Sequence, residues 1–168
     1  TDLPTYLVTL DMSNLTQERY SQLIELQVEV WSRLARLRVL FGESIEAQEC
    51  TDKCIQLVSK ENLSKFDESN LNPRVWRWIS VCKRLLGVTI TKISQPEGQD
   101  EDLQNDLRLA SMQHFVKASD FAIIASNEQL VVDAASSAWN VSMNMGNVPH
   151  LRESLYDLQR QILNNLVK

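Results

Sequence analysis

Cysteine and histidine are the residues of this chain that could support metal or nucleophilic chemistry. The sequence holds three cysteines and two histidines. Cys50 and Cys54 are four residues apart in a helical pattern, so their thiols share one face and could supply half of a zinc site. A structural zinc needs four ligands, and neither a CxxC pair nor a matching histidine pair is present. We interpret the cysteines as small buried residues and predict no metal and no cofactor.

Two catalytic arrangements are formally possible. One pairs Cys82 with His114 or His150, but no glycine-rich turn offers an oxyanion hole or a phosphate cradle. The other uses the carboxylates of the stretch 95–106, which lack the apolar pocket that tunes an acid–base pair. We therefore predict a protein that is not an enzyme and takes no small-molecule substrate.

A predicted helix over residues 73–92 carries the clearest signal for binding. It contains five cations and no acid, interleaved with apolar side chains. Trp76 and Trp78 are two residues apart, so they point about 160° away from each other on a helix. An exposed tryptophan beside arginines is typical of a protein-binding hot spot. The predicted partner-binding residues are Arg74, Trp76, Arg77, Trp78 and Arg84.

The same helix has two further interpretations. A basic amphipathic helix with an aromatic anchor is typical of a calmodulin target or of a membrane-surface helix. A helix within a stack would instead bury both tryptophans and show only its basic edge. We favour the stacked helix, keep calmodulin binding through 73–92 as the alternative, and expect no membrane partner.

The composition of the chain indicates what kind of protein carries these residues. Four glycines and four prolines in 168 residues predict few, long elements, and 43% hydrophobic content is enough for one domain with a core. A net charge of −5 does not favour nucleic acid. No run of about 18 apolar residues occurs, and the odd cysteine count without a secretory signal favours the cytoplasm. The first residue is Thr, so we expect a segment of a longer protein or a chain that has been processed or trimmed at its start.

Apolar periodicity predicts an all-α fold of about six helices in antiparallel pairs. An extended lead-in should cover 1–13, and a mobile acidic loop should cover 94–102, which overlaps the acidic stretch 95–106. The first helix has an apolar stripe that includes Leu37 and is wide enough to touch neighbours on two sides. The second should turn Ile45 toward a partner helix. The fifth should carry Trp139 on its inner face. The predicted helix starts are Asn14 or Thr16, Ser44, Pro73, Asp102, the residues after Ser126–Asn127, and Pro149.

The stretch from Trp31 to Cys54 resembles a degenerate tetratricopeptide (TPR) unit. Trp31, Leu34 and the small Ala35 take first-helix positions, Gly42 falls at the turn, and Cys54 is a small second-helix residue. The aromatic expected near residue 38 and the closing proline are absent. This resemblance implies a TPR-like α-solenoid segment, whereas a generic helical hairpin is the alternative.

Residues 114–140, HFVKASDFAIIASNEQLVVDAASSAWN, resemble a segment of the large helical-repeat proteins of the ciliary central pair, the TPR-containing cilia- and flagella-associated proteins. The resemblance extends loosely over three quarters of the chain. It implies a non-catalytic scaffold that binds other proteins in the axoneme central apparatus, and hence a place in the cilium cytoskeleton.

Overall fold

The computed structural model describes residues 17–59, 71–94, 100–143, 145 and 149–168, and within these ranges the protein is all-helical, with no strand. The lead-in 1–13, the predicted cap at Asn14 or Thr16, and the residues 95–99 of the acidic loop lie outside the described residues. A single 3₁₀ turn, Pro149–Leu151, precedes the last helix. The α-helices within the described ranges are α1 (Gln17–Phe41), α2 (Ser44–Leu57), α3 (Pro73–Ile93), α4 (Glu101–Ile124), α5 (Glu128–Met143) and α6 (Arg152–Leu166).

A two-residue turn joins α1 to α2. Gly42 has a φ of +79°, the left-handed conformation that glycine adopts without steric cost. This lets the Glu43 amide donate to the Arg38 carbonyl at 2.9 Å and satisfy one of the last carbonyls of α1. The predicted stop at Gly42 is confirmed, and the two helices pack side by side.

Helix α3 completes the first core. Asn72 caps it by accepting from the Arg74 amide, and Pro73 occupies the first turn as predicted. The β-branched end does not fray, because Thr89 and Thr91 donate their hydroxyls to carbonyls one turn earlier. The buried residues that α1, α2 and α3 share are Tyr20, Ile24, Val28, Cys54, Leu71, Val75, Ile79 and Cys82.

A close approach of α3 and α4 joins this core to the rest of the protein. Ser80 donates to the Ala118 carbonyl at 2.8 Å, and Ser111 donates to the Gly87 carbonyl at 2.9 Å. These contacts run in opposite directions along the two helices, so α3 and α4 are antiparallel. A Cβ on Gly87 would lie 2.6 Å from the ring of Phe115, so only glycine admits this spacing.

The second core lies between α4, α5 and α6. Asn165 fixes the end of α6 on α4, since its amide donates to Ser119 at 2.8 Å and to Asp120 at 2.6 Å. Ser126 (φ 51°) ends the α4 segment, and Asn127 caps α5, which confirms the predicted break there. The buried residues of this core are Met112, Phe115, Val116, Ala138, Val141, Met145, Leu151, Leu155 and Ile162.

Among the described helices, extensive contacts join those that are one or two positions apart in the order α1 to α6. Helix α3 touches α1, α2, α4 and α5, whereas α6 touches α4 and α5. The described helices therefore pack mainly with their neighbours along the chain and form two larger cores, with a smaller cluster of Ala35, Cys50 and Leu85 beside the first.

Several predicted positions differ in the structure. The acidic loop is shorter than predicted, because Asp100 accepts from the Asp102 amide as N-cap and Glu101 through Asp106 are already helical. Trp139, predicted to face inward, is 61% exposed because Ala138 takes the inner position. Ile45 of α2 and Leu37 of α1, both predicted to pack against neighbours, are also exposed.

We predict that Gly87→Ala destabilises the protein by about 1–2 kcal/mol. The methyl group must displace the buried Phe115 ring, and the cost of such overpacking exceeds the gain of up to about 1 kcal/mol from replacing a helical glycine. Urea unfolding of the two proteins measures the difference.

Phe115→Leu provides the control for this prediction. In that background the ring is gone, so Gly87→Ala should be neutral or stabilising. Equal destabilisation in both backgrounds would mean that the ring contact is not what excludes a side chain at position 87.

Candidate functional site on helix α3

Trp76 and Trp78 leave α3 in different directions, as their spacing predicts, but both are half-buried. Trp76 stacks on Phe121 of α4, with ring centroids 5.5 Å apart and planes 6° from parallel. Trp78 lies beneath two guanidinium groups, Arg33 of α1 at 5.5 Å and Arg77 at 5.6 Å from the ring centroid. Neither ring stands free, so each tryptophan anchors α3 to a neighbouring helix and offers a partner only one edge.

Arg74 is partly neutralised by α1. Its guanidinium lies 3.6 Å from the carboxylate of Glu25, which also accepts from the Asn72 side-chain amide at 2.9 Å. The Arg74 side chain is largely exposed, so solvent weakens this pair. Lys92 at the other end of α3 donates to the Val39 carbonyl of α1 at 3.4 Å.

Arg77 and Arg84 differ from Arg74 in that neither forms a salt bridge within the described part of the chain. They are seven residues apart, so they lie on the same side of α3. Arg77 is exposed, and Arg84 is half-buried with an Nε that is buried and has no hydrogen-bond acceptor. A buried donor without an acceptor is costly to the folded state, whereas the exposed guanidinium of Arg77 is open to a carboxylate from outside. With Arg74, these residues form a basic surface, the α3 arginine surface.

The apolar face of α3 is buried. Val75, Ile79, Cys82 and Leu86 are each at most slightly accessible, packed in the cores that α3 shares with other helices. Calmodulin holds a target helix by its apolar face. The calmodulin alternative therefore requires α3 to leave the core.

All three cysteines are buried, as predicted. Cys54 faces Cys82 of α3 and donates to the Val28 carbonyl at 3.5 Å, whereas Cys50 packs with Ala35 and Leu85. Hydrogen bonding with Cys82 and burial hold the pKa of the Cys54 thiol above its usual range, and burial raises the pKa of Cys50. Cys50 and Cys54 are thus neutral and poorly nucleophilic at neutral pH.

His114 of α4 lies in a basic environment between α3 and α4. Burial, with the charges of Lys83 and Lys117, lowers the pKa of His114 to about 4. Burial and Lys117 also lower the pKa of Lys83. The Nδ1 atom of His114 is buried and has no partner. Cys82, buried against α2, and His114 belong to different clusters, and the side chain of His150 lies outside the described residues.

A pocket between α5 and α6 was not predicted from the sequence. It is open, almost wholly apolar and about 400 Å³ in volume, and Trp139 forms part of its wall. Val131, Ala134, Ala138 and Val141 are buried at spacings of three and four. Trp139 does not belong to this pattern of buried positions. The pattern is the sequence signal that would have predicted its exposure.

No protein-family model matches the chain, and no curated protein matches it. Within the described ranges, no three His, Cys, Asp or Glu side chains are placed to hold a metal ion. Of the helices described, none combines the length and apolar character needed to cross a membrane.

We predict that His114 makes the protein less stable as the pH falls from about 6.5 to about 4. Unfolded, its imidazole titrates near 6.5, whereas the folded protein keeps it neutral down to about pH 4. Between these values only the unfolded state binds the proton, so the free energy of unfolding falls. Solvent screening at this half-buried site limits the loss to about 1–2 kcal/mol. Urea unfolding of the natural protein and His114→Gln, compared at several pH values, isolates this contribution.

An NMR titration measures the same pKa directly, with His150→Gln used to assign the two histidine signals. Lys117→Met should raise the pKa of His114, because it removes one of the two charges that lower it. Lys92→Met is the matched control and should leave it unchanged. A His114 pKa near 6.5 in the natural protein would contradict the prediction.

Proposed function

We propose that this chain is a non-catalytic scaffold segment of TPR-like solenoid type, which binds other proteins within a large assembly. The observation that carries the proposal is the packing of each helix with neighbours one and two positions along the chain. Helical-repeat proteins are built in this way, and they present extended surfaces for partners. The small residues Ala35 and Cys54, which carry part of the TPR resemblance, are both fully buried, and this supports the proposal.

The partner-binding surface in this proposal is the α3 arginine surface, bordered by the exposed edge of Trp78. Arg74, Arg77 and Arg84 lie on one side of the helix, and Arg74 and Arg77 are exposed. Arginine and tryptophan are the residues most enriched at interface hot spots. The matching partner is an acidic protein segment, whose carboxylates would pair with the guanidinium forks.

The ciliary central apparatus is the assembly that we propose. Its support is the resemblance of residues 114–140 to the helical-repeat proteins of the central pair. In the structure this stretch supplies the second half of α4 and most of α5, with Phe115, Ala118, Ala134 and Ala138 buried as the pattern requires. Such a pattern is also what close helix packing selects, so the assembly must be tested directly.

We predict that Arg77→Glu weakens binding to an axonemal partner by at least about 30-fold, as expected for a hot-spot residue worth about 2 kcal/mol. The partner is first captured on the immobilised natural chain from detergent-treated axonemes, with cytosol as a parallel source. It is then purified, and its Kd is measured by titration calorimetry. Arg77 is exposed, so the substitution should leave the circular dichroism spectrum unchanged.

Arg160→Glu is the matched control. Arg160 is an exposed arginine of α6, far along the chain from α3, and this variant should bind normally. Equal affinity for Arg77→Glu and the natural chain would remove the α3 arginine surface from the proposal. Capture of calmodulin alone, and only with calcium, would favour the alternative. Capture of no axonemal protein would contradict the ciliary assignment.

A further inference from the structure

The outer side of α1 carries an exposed apolar stripe that no function described above uses. Leu26 is 55% exposed, Leu37 50% and Leu40 73%, in a helix whose opposite side is buried at Ile24 and Val28. The spacing along the stripe alternates between three and four residues, which is the heptad pattern of a seam between two helices. It extends over about 25 Å of helix. The stripe residues are Leu23, Leu26, Val30, Arg33, Leu37 and Leu40.

We propose that this stripe is a self-association surface, on which α1 of a second copy of the chain packs antiparallel. In the antiparallel register that brings every stripe residue into contact, each residue faces the residue of the second copy whose number, added to its own, gives about 63. Leu23 then faces Leu40 of the second copy, and Leu26 faces Leu37. Val30 faces Arg33, so the two arginines do not meet each other.

Charges beside the stripe select this pairing. Glu29 and Arg36 each directly precede a stripe residue, on the same flank of the helix. In the proposed register, Glu29 of each copy faces Arg36 of the other, which gives two attractive pairs. A slip of one heptad in either direction places Arg36 against Arg36 or Glu29 against Glu29. A parallel pair in register would place Arg33 against Arg33. The stripe is therefore self-complementary in one arrangement.

Arg33 limits the affinity and reinforces the register. Its guanidinium pairs with Glu29 of its own helix at 2.5 Å and lies over the Trp78 ring. A charged residue within a seam specifies register at a cost in stability. The seam is short, but α1 is already folded, so association has no helix-ordering cost. An interface at the low end of the usual size range corresponds to a Kd of order 1–100 µM.

The test is a charge-swap experiment with sedimentation equilibrium as the readout. The natural chain should form a dimer over this concentration range. Glu29→Arg alone places the new arginine against Arg36 of the other copy, and Arg36→Glu alone places the new glutamate against Glu29. Each variant should therefore dimerise at least 10-fold more weakly. An equimolar mixture of the two variants restores attractive pairing in the mixed dimer and should dimerise as strongly as the natural chain.

Glu153→Arg and Arg160→Glu are the matched controls, since they reverse exposed charges with the same seven-residue spacing on α6. These two variants, alone or mixed, should dimerise like the natural chain. Leu37→Glu, at an exposed position of the seam, should abolish dimerisation while preserving the circular dichroism spectrum.

Recovery in the mixture cannot come from a folding defect, because each variant alone would then remain defective. A natural chain that stays monomeric at 500 µM would overturn the proposal. It would also be overturned by a mixture no stronger than its components, or by a dimer that Leu37→Glu leaves intact.

Discussion

The close contact between Gly87 and Phe115 is the constraint on which the rest of the structure depends. The first core, shared by α1, α2 and α3, and the second, shared by α4, α5 and α6, meet along the α3–α4 contact. At its centre the Phe115 ring occupies the space that a side chain on α3 would fill. The Gly87 carbonyl also accepts from Ser111 across the interface. The absence of a side chain at Gly87 thus sets the distance between the two halves of the protein. Closely packed interiors tolerate little change in side-chain volume.

The sequence was sufficient to predict where the helices begin and end, but not to predict which of their surfaces stay exposed. Gly42, Pro73 and Asn127 end or begin helices through local backbone chemistry, and local chemistry is visible in a sequence. Apolar periodicity shows which residues are able to pack, but it does not show whether a neighbour arrives to cover them. Leu37 and Trp139 were therefore placed inside by their type, whereas the fold leaves them exposed.

For the candidate site, too, the local features were predictable from the sequence, whereas the contacts between distant residues were not. The opposite directions of Trp76 and Trp78 follow from helix geometry alone, and the structure has them. Their contacts with Phe121 and Arg33 bring together residues more than forty positions apart, which no local pattern encodes. Similarly, the i, i+4 spacing of Cys50 and Cys54 is real, but Cys54 meets Cys82 because α3 packs against α2. In each case the missing information was the identity of the neighbouring helix.

Packing between neighbours along the chain also bears on how the protein is made. The buried residues of the first core end at Cys82, so all of them have been translated once α3 has left the ribosome, and Phe121 of α4 packs against that core later. Domains fold as units during synthesis, and short-range contacts favour rapid folding. The first three helices therefore have the contacts they need to fold while α4 is still being translated. At that stage Gly87 is uncovered on the surface of α3. Phe115 packs against it once α4 has been translated, and the second core then forms.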